Sequence, residues 1–135
     1  MRLKLFFFIL LVIGTTISYA QKSSLIGTWK LISGKATIND STVSYGSSNS
    51  DAMKIVTPTH FAVIAKNPAD GSMQHTTAGR VKMDNTHYTE YLDYASSKDM
   101  VSKTASFTYK VVGNKWYVKG GNDQMKFDEV WERVQ

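Results

Sequence analysis

The sequence predicts an all-β fold, an eight-stranded antiparallel up-and-down barrel that follows an N-terminal signal peptide. Three observations carry this. Beyond residue 20 no helical periodicity persists, and short alternating segments recur at the spacing of a barrel or sandwich. Turn residues punctuate those segments, with Gly113-Asn114 the strongest two-residue hairpin signal. Two short segments at opposite ends of the chain, Gly27-Thr28-Trp29 and Glu129-Val130-Trp131-Glu132-Arg133, place a glycine-x-tryptophan on the first strand and an arginine on the last. A guanidinium lying on that indole face would lock the barrel shut.

The elements follow in order. Arg2 and Lys4 open the chain, residues 5–13 are unbrokenly apolar, and Ser18-Tyr19-Ala20 sets small residues before a cut. Residues 1–20 therefore read as a secretory signal, and 21–135 as one mature domain beginning at Gln21. The apolar run is short for a bilayer span, and no cysteine follows Ala20 to take a lipid. The expectation is an exported protein, periplasmic or extracellular, with no stable membrane anchor after signal cleavage. Residues 25–37 form a first strand, and the Ser-, Asn- and Asp-rich stretch 39–51 a loop. Strands at 53–57 and 59–66 are separated by Pro58, which cannot donate a ladder hydrogen bond. A turn at 67–71 leads to strands 73–83 and 86–96, joined at Asp84-Asn85. A polar connection at 97–101 precedes strands 102–112 and 115–119 around Gly113-Asn114. A turn at 120–123 leads into the last strand, 125–134.

Alternation assigns faces. Met125, Phe127, Glu129, Trp131 and Arg133 share the bulky, inward side of the last strand. Phe107, Tyr109 and Val111 point in, as do Trp116 and Val118, while Tyr88, Glu90, Leu92 and Tyr94 make one face of their strand. Strand 59–66 is ambiguous, because Phe61 and Val63 compete with His60, Ala62 and Ile64. With no cysteine in the chain there is no disulfide, thiolate metal site or cysteine nucleophile. The formal charge of +5 includes Arg2 and Lys4 of the leader, and the other cations are scattered along strands, which argues against nucleic acid as a partner.

Leu25-Ile26-Gly27-Thr28-Trp29-Lys30-Leu31 resembles the opening motif of the lipocalins and the wider calycin superfamily, and Arg133 stands where those families set a basic residue against the tryptophan. The phrases Lys54-Ile55-Val56-Thr57-Pro58-Thr59-His60-Phe61, Thr86-His87-Tyr88-Thr89-Glu90-Tyr91 and Phe127-Asp128-Glu129-Val130-Trp131 are similar to short exported lipocalin-like domains of Bacteroidetes-type bacteria. The resemblance spans essentially the whole mature chain. It departs from the lipocalin pattern in lacking disulfides and the helix that usually follows the barrel. What it implies is a lipocalin-like barrel that carries a small molecule, a fold-level analogy.

Gly27, Trp29 and Arg133 are the expected closure. Tyr88, Glu90, Phe107, Tyr109 and Trp116 are the expected ligand-binding residues, at the end of the barrel away from that closure, with Glu90 the lone ionisable group in an apolar mouth. The second interior carboxylate, Glu129, is expected to be satisfied by Arg133. Met53, Met73, Met83, Met100 and Met125 would add adaptable lining. His60, His75 and His87 lack zinc-ligand spacing, so no metal, cofactor or catalytic residue is assigned. Asn39-Asp40-Ser41 matches a glycosylation sequon in an exposed stretch. Three functions follow in rank. The first is a non-catalytic binding protein for a small apolar or amphipathic molecule. The second is a filled barrel acting as an interaction partner or inhibitor of an envelope protein. An isomerase- or cyclase-type enzyme using Glu90 and a tyrosine comes last.

Overall fold

The structure, a computed structural model, describes residues 24–134, and the signal peptide expected at 1–20 lies outside them. Among the described residues there are nine strands: β1 (Gly27–Ile38), β2 (Ser41–Gly46), β3 (Asp51–Val56), β4 (His60–Lys66), β5 (Met73–Met83), β6 (His87–Ala95), β7 (Thr104–Val112), β8 (Lys115–Gly121) and β9 (Met125–Arg133). One turn of 3-10 helix, Lys98–Met100, lies between β6 and β7. All pairings are antiparallel, and β1 pairs with β9, so that β1 and β3 to β9 close an eight-stranded up-and-down barrel.

The ninth strand, β2, falls inside the stretch expected to be a loop. Asn39 and Asp40 both take positive φ, 48° and 65°, the backbone of a type I′ hairpin turn. The β-formers Thr42, Val43 and Tyr45 then run back along β1. The abundance of Ser and Asn in this stretch hid a hairpin whose outer residues are exposed. β1 serves two partners along one edge, β3 at Gly27–Lys30 and β2 at Ser33–Ile38. The change coincides with a bulge between Leu31 and Ser33 in the pairing with β9. The extra residue moves the inward positions of β1 from Trp29 and Leu31 to Gly34 and Ala36.

Faces elsewhere follow the alternation. Phe61 and Ala65 are buried on β4 while His60 and Ile64 are exposed, which resolves the ambiguous strand. Tyr94 is a correction: it is 73% exposed, although Tyr88, Glu90 and Leu92 of the same strand are buried. The register between β5 and β6 slips at Ala78/Gly79, leaving Asp93 without an opposite number and turning the next side chain outward. Gly79 permits this, since a Cβ there would collide with the Tyr91 carbonyl oxygen. Asp93 uses its position to take a bidentate pair from Arg80, at 2.9 Å for both bonds. Met53 and Met73 also face outward and are not lining.

The lower end of the barrel is packed solid. Trp29, Tyr88 and Trp116 are fully buried and meet edge to face, with centroids 5.4 Å apart for Trp29–Trp116 and 5.5 Å for Tyr88–Trp116. Leu25, completely buried, enters from below and accepts the Trp29 indole N–H at its carbonyl, 2.9 Å away. Arg133, opposite Trp29 in the register, lays its guanidinium 4.2 Å from the Trp29 ring centroid. Its two terminal nitrogens donate to the carbonyls of Ile26 and Ser24. Gly27 is required beneath it: φ is 145°, and a Cβ would occupy the space of the Arg133 guanidinium. Each residue at this end thus holds another in place. Trp29→Ala is expected to lower the unfolding free energy by about 3–5 kcal/mol, as large aromatic truncations in cores do. Urea denaturation of the two proteins measures it, and a loss below about 1 kcal/mol would show that the closure is not what stabilises this end.

Candidate functional site

Above the packed end the barrel opens into a cavity of about 360 Å³. Its floor is a charged pair. Lys54 on β3 and Glu90 on β6 are 4% and 6% exposed, and the Lys54 ammonium lies 2.5 Å from Glu90 Oε1. The Tyr88 hydroxyl donates to the same oxygen from below at 2.8 Å. Burial, and then the Glu90 charge, push the Tyr88 phenol well above its ordinary value, so it stays a donor. Five rings surround the ammonium: Phe61, Tyr88, Phe107, Trp116 and Trp131, with centroids 5.1 to 5.8 Å away. The ring faces and the carboxylate together replace the water that a buried cation loses.

Lys54 was not singled out from the sequence. Met53 and Ile55 look like the core face of β3, yet both are exposed, and the inward set is Ala52, Lys54 and Val56. The signal that would have found it is Glu90 itself. A carboxylate on an interior face needs a cation, and the inward alternation of β3 supplies one. Glu90 is therefore not the lone ionisable group of an apolar mouth, as the sequence suggested.

A second polar group lines the wall. Glu129 on β9 accepts the Tyr45 hydroxyl at Oε1, 2.5 Å, and the Trp131 indole N–H at Oε2, 2.9 Å. Tyr45 comes from β2, the strand the sequence reading missed. Gly34 stands opposite both Tyr45 and Glu129 in the register, so the three form one row across β2, β1 and β9. The Tyr45 ring crosses over Gly34, where a Cβ would fall 2.5 Å from ring carbons. Burial, then Glu129, drive the Tyr45 phenol far above its usual range. Arg133 does not reach Glu129 as expected, because its guanidinium is committed to Trp29 and the backbone below. His75 on β5 also lines the cavity. Burial pulls its imidazole below 6.5, opposed by the Glu129 and Glu90 charges.

The remaining lining is largely apolar: Leu31, Ala52, Val63, Ala65, Leu92, Met100, Ala105, Phe107, Met125 and Phe127. At the rim stand Asp99 and Lys103 of the β6–β7 connection, with Asn122 and Gln124 from the β8–β9 turn. The β6–β7 connection is tied to the wall where Ser102 N–H meets the Leu92 carbonyl at 2.8 Å and Leu92 N–H meets that of Lys103 at 2.9 Å.

Of the residues expected to bind ligand, Glu90 and Phe107 face the cavity. Tyr88, Tyr109 and Trp116 point inward but lie lower. Tyr88 and Trp116 belong to the packed aromatic layer, and Tyr109 donates to the Asp84 carbonyl at the closed end, 2.7 Å. Alternation tells inside from outside, but height in the barrel depends on register, which a single strand does not reveal. The cavity itself lies at the end away from the Trp29–Arg133 closure. Among the described residues no group of three or more His, Cys, Asp or Glu is arranged to hold a metal ion. No helix among them is long and apolar enough to cross a membrane. The sequence matches no protein-family model and no curated protein.

Two expectations follow. Lys54→Met leaves Glu90 buried without a cation and is expected to cost about 3–5 kcal/mol, whereas Lys54→Met combined with Glu90→Gln recovers much of that loss. A double-mutant cycle by urea denaturation decides it, and additive losses would mean the pair is not coupled. His75 takes up a proton less readily folded than unfolded, so the unfolded chain binds more protons just below pH 6.5. The stability that follows is full above that pH and declines as pH falls through the folded value. His75→Gln should flatten the slope of melting temperature between about pH 7 and 5.5, and an unchanged slope would remove His75 as its cause.

Proposed function

We propose that the protein is an exported, non-catalytic carrier that holds one small amphipathic molecule in the open half of its barrel. The single observation supporting this reading most is the cavity of about 360 Å³, walled by apolar side chains and floored by fixed polar groups. Small-molecule sites have this composition, and eight strands enclose room for one small ligand. The volume lies at the lower end of the range for such sites, which favours a compact ligand over a long acyl chain. The leader-like residues 1–20 support export to a periplasm or the exterior.

A second reading, docking of an envelope protein on the outside of the barrel, draws on Met53, Ile55 and Ile64, which are exposed beside one another on β3 and β4. It ranks behind carriage because a barrel that only displays its surface has no need of an open interior.

N-phenylnaphthylamine, an uncharged apolar fluorophore, tests the carrier reading. It is expected to brighten on binding with one site per chain, and Ala105→Phe, which adds a ring to the cavity wall beside Glu90, is expected to weaken binding about tenfold or more with the melting transition retained. No binding to the unaltered protein, or binding untouched by the filled cavity, would overturn it.

A further inference from the structure

The two carboxylates of the cavity are not equivalent. Glu90 is neutralised by Lys54 at 2.5 Å. Glu129 is held only by neutral donors, the Tyr45 hydroxyl and the Trp131 indole N–H. It takes part in none of the ion pairs of the described residues. His75 does not supply the missing cation, since burial favours its neutral form. An ionised carboxylate has about four acceptor positions, and each Glu129 oxygen uses one of its two here. The side chain lines the cavity, partly buried among Tyr45, Phe127 and Trp131. A carboxylate with unfilled acceptor positions, in an apolar wall and short of a counter-charge, is a receptor for a cation: an ammonium fills the open positions and supplies the missing charge.

We infer that the ligand is a small organic cation, a protonated amine on an apolar or aromatic body, with its nitrogen on Glu129 and its body against the apolar wall. This rests on the carrier reading and sharpens it. Lys54 has the wrong circumstances to bind an anionic head instead. Its ammonium is covered by Glu90 on one side and by five rings around it, and an anion arriving there would have to displace Glu90 from its only cation. The other charged groups facing the cavity, Asp99 and Lys103 at the rim, oppose one another in sign and leave Glu129 as the excess charge.

The test is a series of three ligands of one shape: phenethylamine, phenethyl alcohol and phenylacetate, titrated into the purified protein by calorimetry at neutral pH. The amine is expected to bind about tenfold or more tighter than the alcohol, and the carboxylate weakest. Glu129→Gln is expected to bring the amine to the level of the alcohol while the alcohol is unaffected. If the amine is no better than the alcohol, the cation assignment falls and the carrier reading stands. Tightest binding of phenylacetate would likewise overturn the assignment. If none of the three binds and N-phenylnaphthylamine does not either, both fall. The comparison on the unaltered protein decides the matter even if the Glu129→Gln variant does not fold.

Discussion

The Lys54–Glu90 pair is the constraint around which the interior is arranged. Two opposite charges near the barrel axis, each almost without water, are tolerable only together. Lys54 is supplied by β3 and Glu90 by β6, strands that are not neighbours, so the pair spans the interior and ties its walls to one another. It also fixes a height. Below it the space must be filled by rings, because an ammonium left beside a dry void would have nothing to face. Trp116 is the hub of that filling, touching Trp29, Tyr88 and Trp131 and lying nearest the ammonium. Its indole N–H is the one buried side-chain polar atom among the described residues without a hydrogen-bond partner. Loss of such a partner costs about 1–3 kcal/mol. The energetic role of Trp116 is therefore its ring, packed against its neighbours and the cation, and not its polar edge.

Above the pair the requirement reverses. Small or flexible residues, Ala52, Ala65, Ala105 and Met100, stand where the lower half carries tryptophan and tyrosine. This change in side-chain volume, together with the replacement of β3 by β2 beside β1 at Ser33–Ile38, leaves the upper half hollow. The question whether an eight-stranded barrel of this size is filled or open has a divided answer: filled below the ion pair, open above it.

How much of this was legible in the sequence depends on the distance over which each feature is determined. Alternation within one strand is local, and it placed Phe107, Trp116, Val118 and Trp131 inside correctly. The Gly113-Asn114 turn is local too: Val112 pairs with Lys115 across it, and Gly113 takes φ of 60°. The Trp29–Arg133 contact joins the ends of the chain, and it was legible because a glycine, a tryptophan and an arginine form an unusual set. Features that depend on register between strands were not legible. Asp93 turns Tyr94 outward through a one-residue slip against β5 that nothing in β6 announces. Tyr109 and Trp116 are inside, but lower than the cavity, for the same reason. Lys54 was hidden by Met53 and Ile55, apolar residues on the wrong face of their strand.

The row of Tyr45, Gly34 and Glu129 shows how an unremarkable stretch of sequence acquires a role only in three dimensions. Tyr45 lies in a polar hairpin, on a strand that pairs only with β1 and stands outside the closed circuit of β1 and β3 to β9. What the hairpin contributes is a phenol delivered over Gly34, where β1 has no side chain to obstruct it. The bulge between Leu31 and Ser33 is the reason Gly34 faces inward at all. Without that extra residue the inward positions would continue from Trp29 and Leu31 to Ser33, and Tyr45 would lose its path to Glu129. A backbone irregularity in the first strand, a glycine beyond it and a tyrosine on a peripheral strand are thus one device. Its product is a carboxylate oriented by two neutral donors and held ready in the wall of the cavity.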